Sequence, residues 1–240
     1  DSMIYYVDNQ PAAVVLNSVD LPTRDAYTFF WGAHPKFRHG RIALTLAEAS
    51  SRHLYEIGCL RYYAESVPDR PVRRYRFVQF LPVSDLVDMR TESPVLPVPD
   101  PTVEVRPIQP SDLPSFTLGP GEFQHWCQRH SFLRTAASFV KLFGAFSDGA
   151  IKAYAVLQPL ANSTTLSELR SPGESSNASH ELLRFLLAEN YRPPFTVTHV
   201  FPNSFTYRLL AASGFTVHRR YSVLMRDLPN SFAAPVARNA

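Results

Sequence analysis

Cysteine and long apolar runs are both scarce in this chain of 240 residues. Its two cysteines, Cys59 and Cys127, lie among apolar or aromatic neighbours, which argues against a disulfide framework or a cysteine-based metal site and favours buried free thiols. No stretch approaches the roughly 18 apolar residues of a membrane span. The first residues also lack the charged-then-apolar pattern of a signal peptide. We therefore expect a cytoplasmic protein that does not enter the membrane.

An excess of one charge sign is also missing. The chain has 24 Lys and Arg against 21 Asp and Glu, a formal charge of +3, which is too weak to indicate nucleic-acid binding but tolerates an anionic ligand. The eight histidines show no metal-ligand spacing, so we predict no metal site. The arginines of residues 70–76 have two interpretations, a solvated basic face or a contact for an anionic partner.

The strongest local pattern lies within residues 26–58. An apolar strand, Tyr27–Trp31, leads through a short loop to the basic turn Arg38–Arg41. Apolar residues at three- and four-residue spacing then predict a helix from Ile42 to about Ile57. The first N–H groups of a helix are unpaired and its dipole is positive there, so a basic turn at this point is suited to hold phosphate.

Strand, turn and helix patterns recur in the same order in both halves of the chain, which indicates an internal repeat. In the first half a strand at Leu60–Ala64 follows the helix, and this order of strand, helix and strand favours parallel pairing. Four prolines between residues 93 and 102 are incompatible with a helix or a central strand and predict a linker. We predict a first unit at 1–92, the linker at 93–102, a second unit at 103–230 and a mobile tail at 231–240.

Periodicity and turn residues predict the remaining elements. In the first half these are a hairpin over Ile4–Leu16, a short helix at Val72–Phe77 and a strand region over Phe80–Met89. In the second half they are strands at Val103–Ile108, Thr165–Leu169, Phe195–Val200 and Tyr221–Met225, a hairpin of Phe139–Phe146 with Ile151–Leu157, and helices from Ser111 and over Gly121–Ala137, Ser179–Asn190 and Phe205–Ala212.

The run from Trp31 to Ala43, with the helix after it, resembles the acyl-CoA-binding core of the GNAT superfamily of acyltransferases. The family turn has the form Gln/Arg-x-x-Gly-x-Gly/Ala, and here Arg38 and Ala43 fill its first and last places while Arg41 stands at the central glycine. A Cβ at that place hinders close approach of the backbone to phosphate. An arginine there can instead pair with phosphate through its guanidinium, and the sequence leaves both outcomes open.

The resemblance implies two GNAT-like α/β units, each a mostly antiparallel mixed sheet with a central parallel strand-helix-strand crossover. It also implies acetyl-CoA or another acyl-CoA as co-substrate and an amine as acceptor. The cofactor-binding residues that it implies are Trp31, Gly32, Ala33, Arg38, His39, Gly40, Arg41, Ile42 and Ala43. The first unit begins at the family's second strand, so either the family's first strand and two helices lie upstream or the second half supplies that wall of the acceptor site.

Two residues are candidates for catalysis. The segment Tyr75-Arg76-Phe77-Val78-Gln79-Phe80 resembles the family's Tyr-x-x-x-Gly-Phe, which implies Tyr75 as general acid to the departing thiolate. Its alternative role is a tyrosine packed on the sheet. Glu65 lies just past a strand end and is the candidate general base, with a merely exposed carboxylate as the alternative.

The second half departs further from the family. Its phosphate turn is represented by Arg170-Ser171-Pro172-Gly173-Glu174-Ser175, in which Pro172 removes a donor and Glu174 brings an anion. We therefore expect acyl transfer to an amine at the first unit. The rival hypothesis is a non-catalytic GNAT-like protein that serves as a structural or partner-binding component of an assembly, with a protein partner or a second copy of the chain.

Overall fold

The computed structural model describes residues 1–38, 41–66, 78–113, 126–136, 138–171, 177–190 and 193–229. The chain forms two compact units, Asp1–Ser84 together with the chain from Tyr221 onward, and Asp85–Arg220. The chain passes from one unit to the other within strands rather than within the proline-rich segment. These compact units do not test the predicted domain boundaries at residues 92 and 102, which remain a prediction.

In the residues that the structure describes, the first unit is a mixed sheet with α-helix α1 on one face. Its strands follow the order β1-β2-β3-β4-β11, and every pairing is antiparallel except that of β3 with β4. Its elements are β1 (Met3–Val7), β2 (Gln10–Asp20), β3 (Asp25–Ala33), α1 (Ile42–Glu56), β4 (Arg61–Ser66) and the end of β11 (Thr216–Asp227).

The second unit repeats this plan with more strands. Its order is β5-β10-β9-β8-β7-β6, and β9 with β10 is the parallel pair. Its elements are β5 (Leu81–Thr91), β6 (Glu104–Pro107), α2 (His130–Thr135), β7 (Lys141–Ser147), β8 (Ala150–Leu160), β9 (Ser163–Arg170), α3 (Asn177–Asn190), β10 (Phe195–Val200) and α4 (Phe205–Ala212). The predicted fold class, mixed sheets with a central parallel crossover, is confirmed in both units.

Two predicted helices of the second half are wrong in type or extent. Ser111 lies in a short 3-10 turn, Pro110–Asp112, because Gln109 and Asp112 cap each other and Leu113 is already extended. The described part of the helix predicted over residues 121–137 is a 3-10 turn at Trp126–Gln128, the extended Arg129 and then α2. The predicted helix at residues 72–77 lies outside the described residues.

The last strand has a different partner from the one that the sequence suggested. We predicted Tyr221–Met225 as the closing strand of the second unit. Residues Ser222–Asp227 instead pair antiparallel with β4 of the first unit, from Ser66 to Arg61. Sequence periodicity identifies a strand but not the strand beside it, because pairing over such a separation depends on tertiary contacts.

A buried polar network joins α1 to this sheet. Asn17 donates to the Ser50 hydroxyl at 3.0 Å, and the Tyr62 hydroxyl donates to the Asn17 side-chain oxygen at 2.9 Å. Burial raises the pKa of the Tyr62 hydroxyl, which keeps it protonated as a donor. Leu46, Ala47 and Leu54 of α1 are buried among apolar side chains of the same sheet.

Arg226 links β11 to α1. Its side chain is only 1% exposed, and its two terminal nitrogens donate to the two carboxylate oxygens of Glu48 at 3.1 and 3.0 Å and to the Ser51 hydroxyl at 3.0 Å. A bidentate arginine pair of this kind is charge-assisted and fixed in geometry. It therefore sets which face of β11 points towards α1.

We expect Arg226→Ala to lower the free energy of unfolding by about 3 kcal/mol, because it opens a cavity and strands the partly buried Glu48 carboxylate. Urea denaturation followed by circular dichroism measures the change. Arg90→Ala, which removes a partly exposed arginine paired with Glu92, is the control and should stay within about 0.5 kcal/mol of the unchanged protein. Equal losses in the two variants would contradict this role of Arg226.

Candidate functional site

The parallel pair of the first unit lasts for only three residues. Asp25, Ala26 and Tyr27 of β3 pair with Arg61, Tyr62 and Tyr63 of β4. Beyond that point β3 continues along β2 as far as Ala33, whereas β4 continues along β11 as far as Ser66. The two strands diverge because each follows its antiparallel neighbour, and an opening lies between their ends.

A β-bulge places two consecutive phenylalanines on the same side of β3. Thr28 pairs with Asn17, and Trp31 pairs with Val15, and both partners face α1. Directly opposed residues share a face, so Thr28 and Trp31 also face α1. The register skips Phe29, which leaves Phe29 and Phe30 both on the face away from α1, here called the outer face. Their side chains are 54% and 51% exposed.

Glu65 lies on the outer face on the other side of the opening. Tyr62 faces α1 through Ser50, so alternation along β4 puts Tyr63 and Glu65 on the outer face. The rings of Tyr27 and Tyr63 stack with their centroids 4.8 Å apart at the point where the strands begin to diverge. Tyr27 and Tyr63 are themselves buried, so the outer face beyond them presents two phenylalanines on one strand and a carboxylate on the other.

The opposite end of the opening leads to the start of α1. After Ala33 the chain makes a 3-10 turn, Pro35–Phe37, and the Arg38 guanidinium donates back to the Ala33 carbonyl at 3.4 Å. Arg41 occupies the N-cap position, but its side chain makes no capping hydrogen bond. By contrast, Ser204 at the N-cap of α4 accepts a hydrogen bond from the Tyr207 N–H. The start of α1 therefore offers N–H groups and two exposed arginines to an anion.

The predicted site residues occupy these two regions. Trp31, Gly32 and Ala33 end β3, whereas Arg38, Arg41, Ile42 and Ala43 surround the start of α1, and Glu65 lies on β4. His39, Gly40 and Tyr75 lie outside the described residues. Sequence reasoning missed the outward orientation of Phe29 and Phe30, because a bulge is set by pairing with β2 and an apolar run of residues reads as buried.

The second unit contains the corresponding divergence, but polar side chains fill it. Pairing of β9 with β10 ends at Leu166 and Val197, and the β8–β9 register skips Ser167 as the β2–β3 register skips Phe29. The Gln128 amide donates to the Ser167 carbonyl at 3.0 Å, and the Cys127 sulfur lies 3.8 Å from Nδ1 of His199. The backbone oxygen at this bulge is therefore already bound within the unit.

Glu168 follows the bulge and is a deeply buried carboxylate, with its side chain 2% exposed. One of its oxygens lies 2.7 Å from Nε of Arg170, while the other has no hydrogen-bond partner among the described residues. Burial raises the pKa of Glu168 to about 7, although the Arg170 guanidinium opposes that rise. Burial and the nearby Glu168 also raise the pKa of the Tyr154 hydroxyl. Arg170, predicted for a phosphate turn, is thus engaged by Glu168.

The sequence held a signal for this cluster. Glu168 is a charged residue at an inner position of a strand, between Leu166 and Leu169, both of which are buried in the unit's apolar core. A charge in such a place requires a partner. The separation of only two residues between Glu168 and Arg170 puts both on one face of β9 and predicts the pairing.

Glu168 should make stability depend on pH in one direction. Its pKa is near 4.5 when unfolded and about 7 when folded, so the folded state binds this proton more tightly. The contribution is present in full below about pH 4.5 and is lost as the pH rises through 7, by on the order of 3 kcal/mol. Glu168→Gln should remove this slope from urea denaturation between pH 5 and pH 8. The exposed variant Glu92→Gln should keep the slope, and an unchanged slope in Glu168→Gln would contradict the assignment.

Two other features are absent from the described part of the chain. Its His, Cys, Asp and Glu side chains form no group of three or more that could hold a metal ion. Its helices do not include one that is both long enough and apolar enough to cross a bilayer. Cys59 is buried and Cys127 half-buried, and neither forms a disulfide.

Three solved structures with the same fold are distant from this chain in sequence. A tandem GNAT protein from the clavulanic acid biosynthesis pathway matches 95% of this chain and 82% of its own, with a TM-score of 0.64 and 12% identity. A GCN5-related N-acetyltransferase from Sphaerobacter thermophilus matches 92% and 78%, with a TM-score of 0.61 and 14% identity. One from Anabaena variabilis matches 95% and 62%, with a TM-score of 0.63 and 11% identity.

These likenesses confirm the predicted resemblance at the level of the fold. One of the matching proteins is itself a tandem GNAT protein. Comparison with protein-family models gives no match, and comparison with curated protein sequences gives none. A fold shared at so low an identity does not carry an activity with it, so function has to be argued from the site.

Proposed function

We propose that this protein is an acyl-CoA-dependent N-acyltransferase whose site is the opening between β3 and β4 of the first unit. The observation that carries the proposal is the divergence of these strands shortly before α1, whose N-cap residue Arg41 makes no side-chain capping hydrogen bond. An extended thioester can lie in such an opening with its anionic end at the helix and its acyl group between the strands. The fold shared with GNAT N-acetyltransferases supports the same interpretation.

The phosphates of acetyl-CoA, or of another acyl-CoA, would bind at the start of α1. The Arg41 side chain has only donors and makes no capping hydrogen bond, so it does not compete with phosphate oxygens for the first N–H groups of the helix. Arg38 and Arg41 add two exposed guanidinium groups at the same end of the helix. In this proposal Arg41 supplies charge where the family turn has a glycine, and the residues present fit an anionic co-substrate.

The chemistry requires one base, one acid and one hydrogen-bond donor. The amine nitrogen forms a bond to the thioester carbonyl carbon as the carbon–sulfur bond breaks, and the carboxylate of Glu65 takes the proton that the nitrogen loses. A backbone N–H of Trp31, Gly32 or Ala33 would stabilise the carbonyl oxygen. Tyr75 would return a proton to the thiolate. Holding both reactants in the opening supplies much of the rate.

The second unit supports the rival function better than the first does. Gln128 occupies the Ser167 carbonyl, and Glu168 holds Arg170, so the groups that would contact a second acyl-CoA are engaged internally. We assign this unit a structural or partner-binding role, with a protein partner or a second copy of the chain as its candidates. The two cysteines without a disulfide fit a reducing compartment, and we place the protein in the cytoplasm.

Acetyl-CoA at about 100 times its dissociation constant should stabilise the protein by about 2.7 kcal/mol, because it binds only the folded state. Thermal unfolding with and without acetyl-CoA measures this. Arg41→Ala should weaken the binding about tenfold by removing a charge-assisted contact to phosphate. Arg106→Ala, at an exposed arginine of the second unit, is the matched control and should bind normally. An unchanged unfolding temperature at millimolar acetyl-CoA would rule out the proposed activity.

A further inference from the structure

The outer face of the first unit carries a continuous apolar strip next to the opening. Phe30 pairs with Leu16, and Val14 pairs with Ile4 on its other side, so these residues share the face that points away from α1. Ile4 is also largely exposed, and Val14 and Leu16 are half-buried. The apolar strip consists of Ile4, Val14, Leu16, Phe29 and Phe30.

Gly32 determines how the Phe30 ring lies in this strip. A Cβ built on Gly32 would stand 3.0 Å from Cε1 and 3.1 Å from Cζ of Phe30, so the Phe30 ring reaches along β3 to the glycine. Any side chain at residue 32 would push the ring away from the strand. Phe30 stays about half exposed beside the opening, where an apolar group can pack against it.

The second unit shows how the corresponding face is used when nothing external binds there. Tyr154 and Val156 of β8 are buried beneath Ile108, Leu113 and Leu133. Its bulge positions hold Ser167 and Glu168, both engaged in polar contacts under this layer. In the first unit the same two positions hold exposed phenylalanines. Large apolar side chains gathered on a surface in this way indicate a binding site.

We infer that the acceptor is a primary amine on an aromatic or apolar body, with the body stacked on the apolar strip and the amino group directed at Glu65. This inference rests on the proposed acyl transfer. The face towards α1 is covered by the helix and leads to the phosphate end, so the acceptor approaches from the outer face. There it meets Phe29 and Phe30 on one strand and the carboxylate of Glu65 on the other.

Charge complementarity selects the amine over a neutral compound. An ammonium group is attracted to a carboxylate and to aromatic faces. Glu65 provides the carboxylate and the phenylalanines provide the faces, so one molecule satisfies both only if its cation and its apolar body are adjacent. A strongly polar or polycationic acceptor would leave the apolar strip uncovered. The other candidate for the strip is a long acyl chain of the co-substrate.

The test uses three small probes with the whole protein, in the presence and absence of acetyl-CoA. 2-Phenylethylamine has both features, ethylamine lacks the ring, and 2-phenylethanol lacks the charge. Isothermal titration should show 2-phenylethylamine binding at least tenfold more tightly than either of the others. Phe30→Ala should weaken its binding about five- to tenfold and leave ethylamine unchanged, whereas Phe139→Ala, at another exposed phenylalanine, should change neither.

Glu65→Gln separates recognition of charge from a merely structural role. This variant should lose the preference for 2-phenylethylamine over 2-phenylethanol while binding the alcohol as before, and Glu65→Asp should restore most of the preference. Both variants and Phe30→Ala are expected to keep the circular dichroism spectrum of the unchanged protein. Retention of the full preference by Glu65→Gln would overturn the inference.

Failure of the inference and failure of the proposed function have different signatures. Binding of acetyl-CoA together with equal, weak binding of all three probes would overturn the inference and leave acyl transfer in place. Turnover that rises with acyl-chain length but not with the apolarity of the amine would overturn it as well, because the strip would then hold the acyl chain. If acetyl-CoA does not bind and the probes behave as expected, acyl transfer fails and the amine site stands.

Discussion

The short parallel pairing of β3 with β4 is the constraint on which the rest of the first unit depends. Three residue pairs join the two strands, and beyond them each strand stays paired with its antiparallel neighbour, so the two strands separate. For the strands to separate, each must be paired with another strand on its far side, β2 for β3 and β11 for β4. On the β4 side that partner is β11, whose Arg226 is fixed to α1 through Glu48 and Ser51. Pairing with β11 therefore helps to keep β4 apart from β3 at the proposed site.

Repetition of this geometry in the second unit shows what side chains add to a shared backbone. Both units have a parallel pair that ends early and a bulge of one residue just after it. In the second unit the bulge is followed by Glu168, Gln128 binds the Ser167 carbonyl, and Arg170 binds one oxygen of Glu168. In the first unit it presents two phenylalanines to solvent. The same backbone feature is therefore filled in one unit and accessible in the other.

Much of the fold could be predicted from local sequence patterns. The apolar stripe of α1 and the alternating strands gave element positions within a few residues, since helix and strand periods are properties of short segments. The order of strand, helix and strand likewise gave the parallel crossovers. The partner of the last strand was not predictable, because the pairing of Arg226 with Glu48 joins residues far apart in the chain.

The candidate site divides in the same way. The basic turn before α1 is readable because it is contiguous, and Arg38 and Arg41 could be named from spacing alone. The outward turn of Phe29 and Phe30 depends on a bulge opposite β2, and a run of apolar residues gives no sign of it. The position of Glu65 on the same face as those phenylalanines could not be predicted either, because it follows from the pairing registers of β3, β4 and their neighbours.

The central claim is that the first opening, and not the second, binds an acyl-CoA. Amide hydrogen exchange of the whole chain, followed by mass spectrometry with and without acetyl-CoA, tests it most directly, because the first amides of a helix have no partner within that helix. We predict slower exchange at residues 28–33 and 41–45 and no change at residues 167–170 and 177–181. Slower exchange confined to the second pair of segments, or none in either, would contradict it.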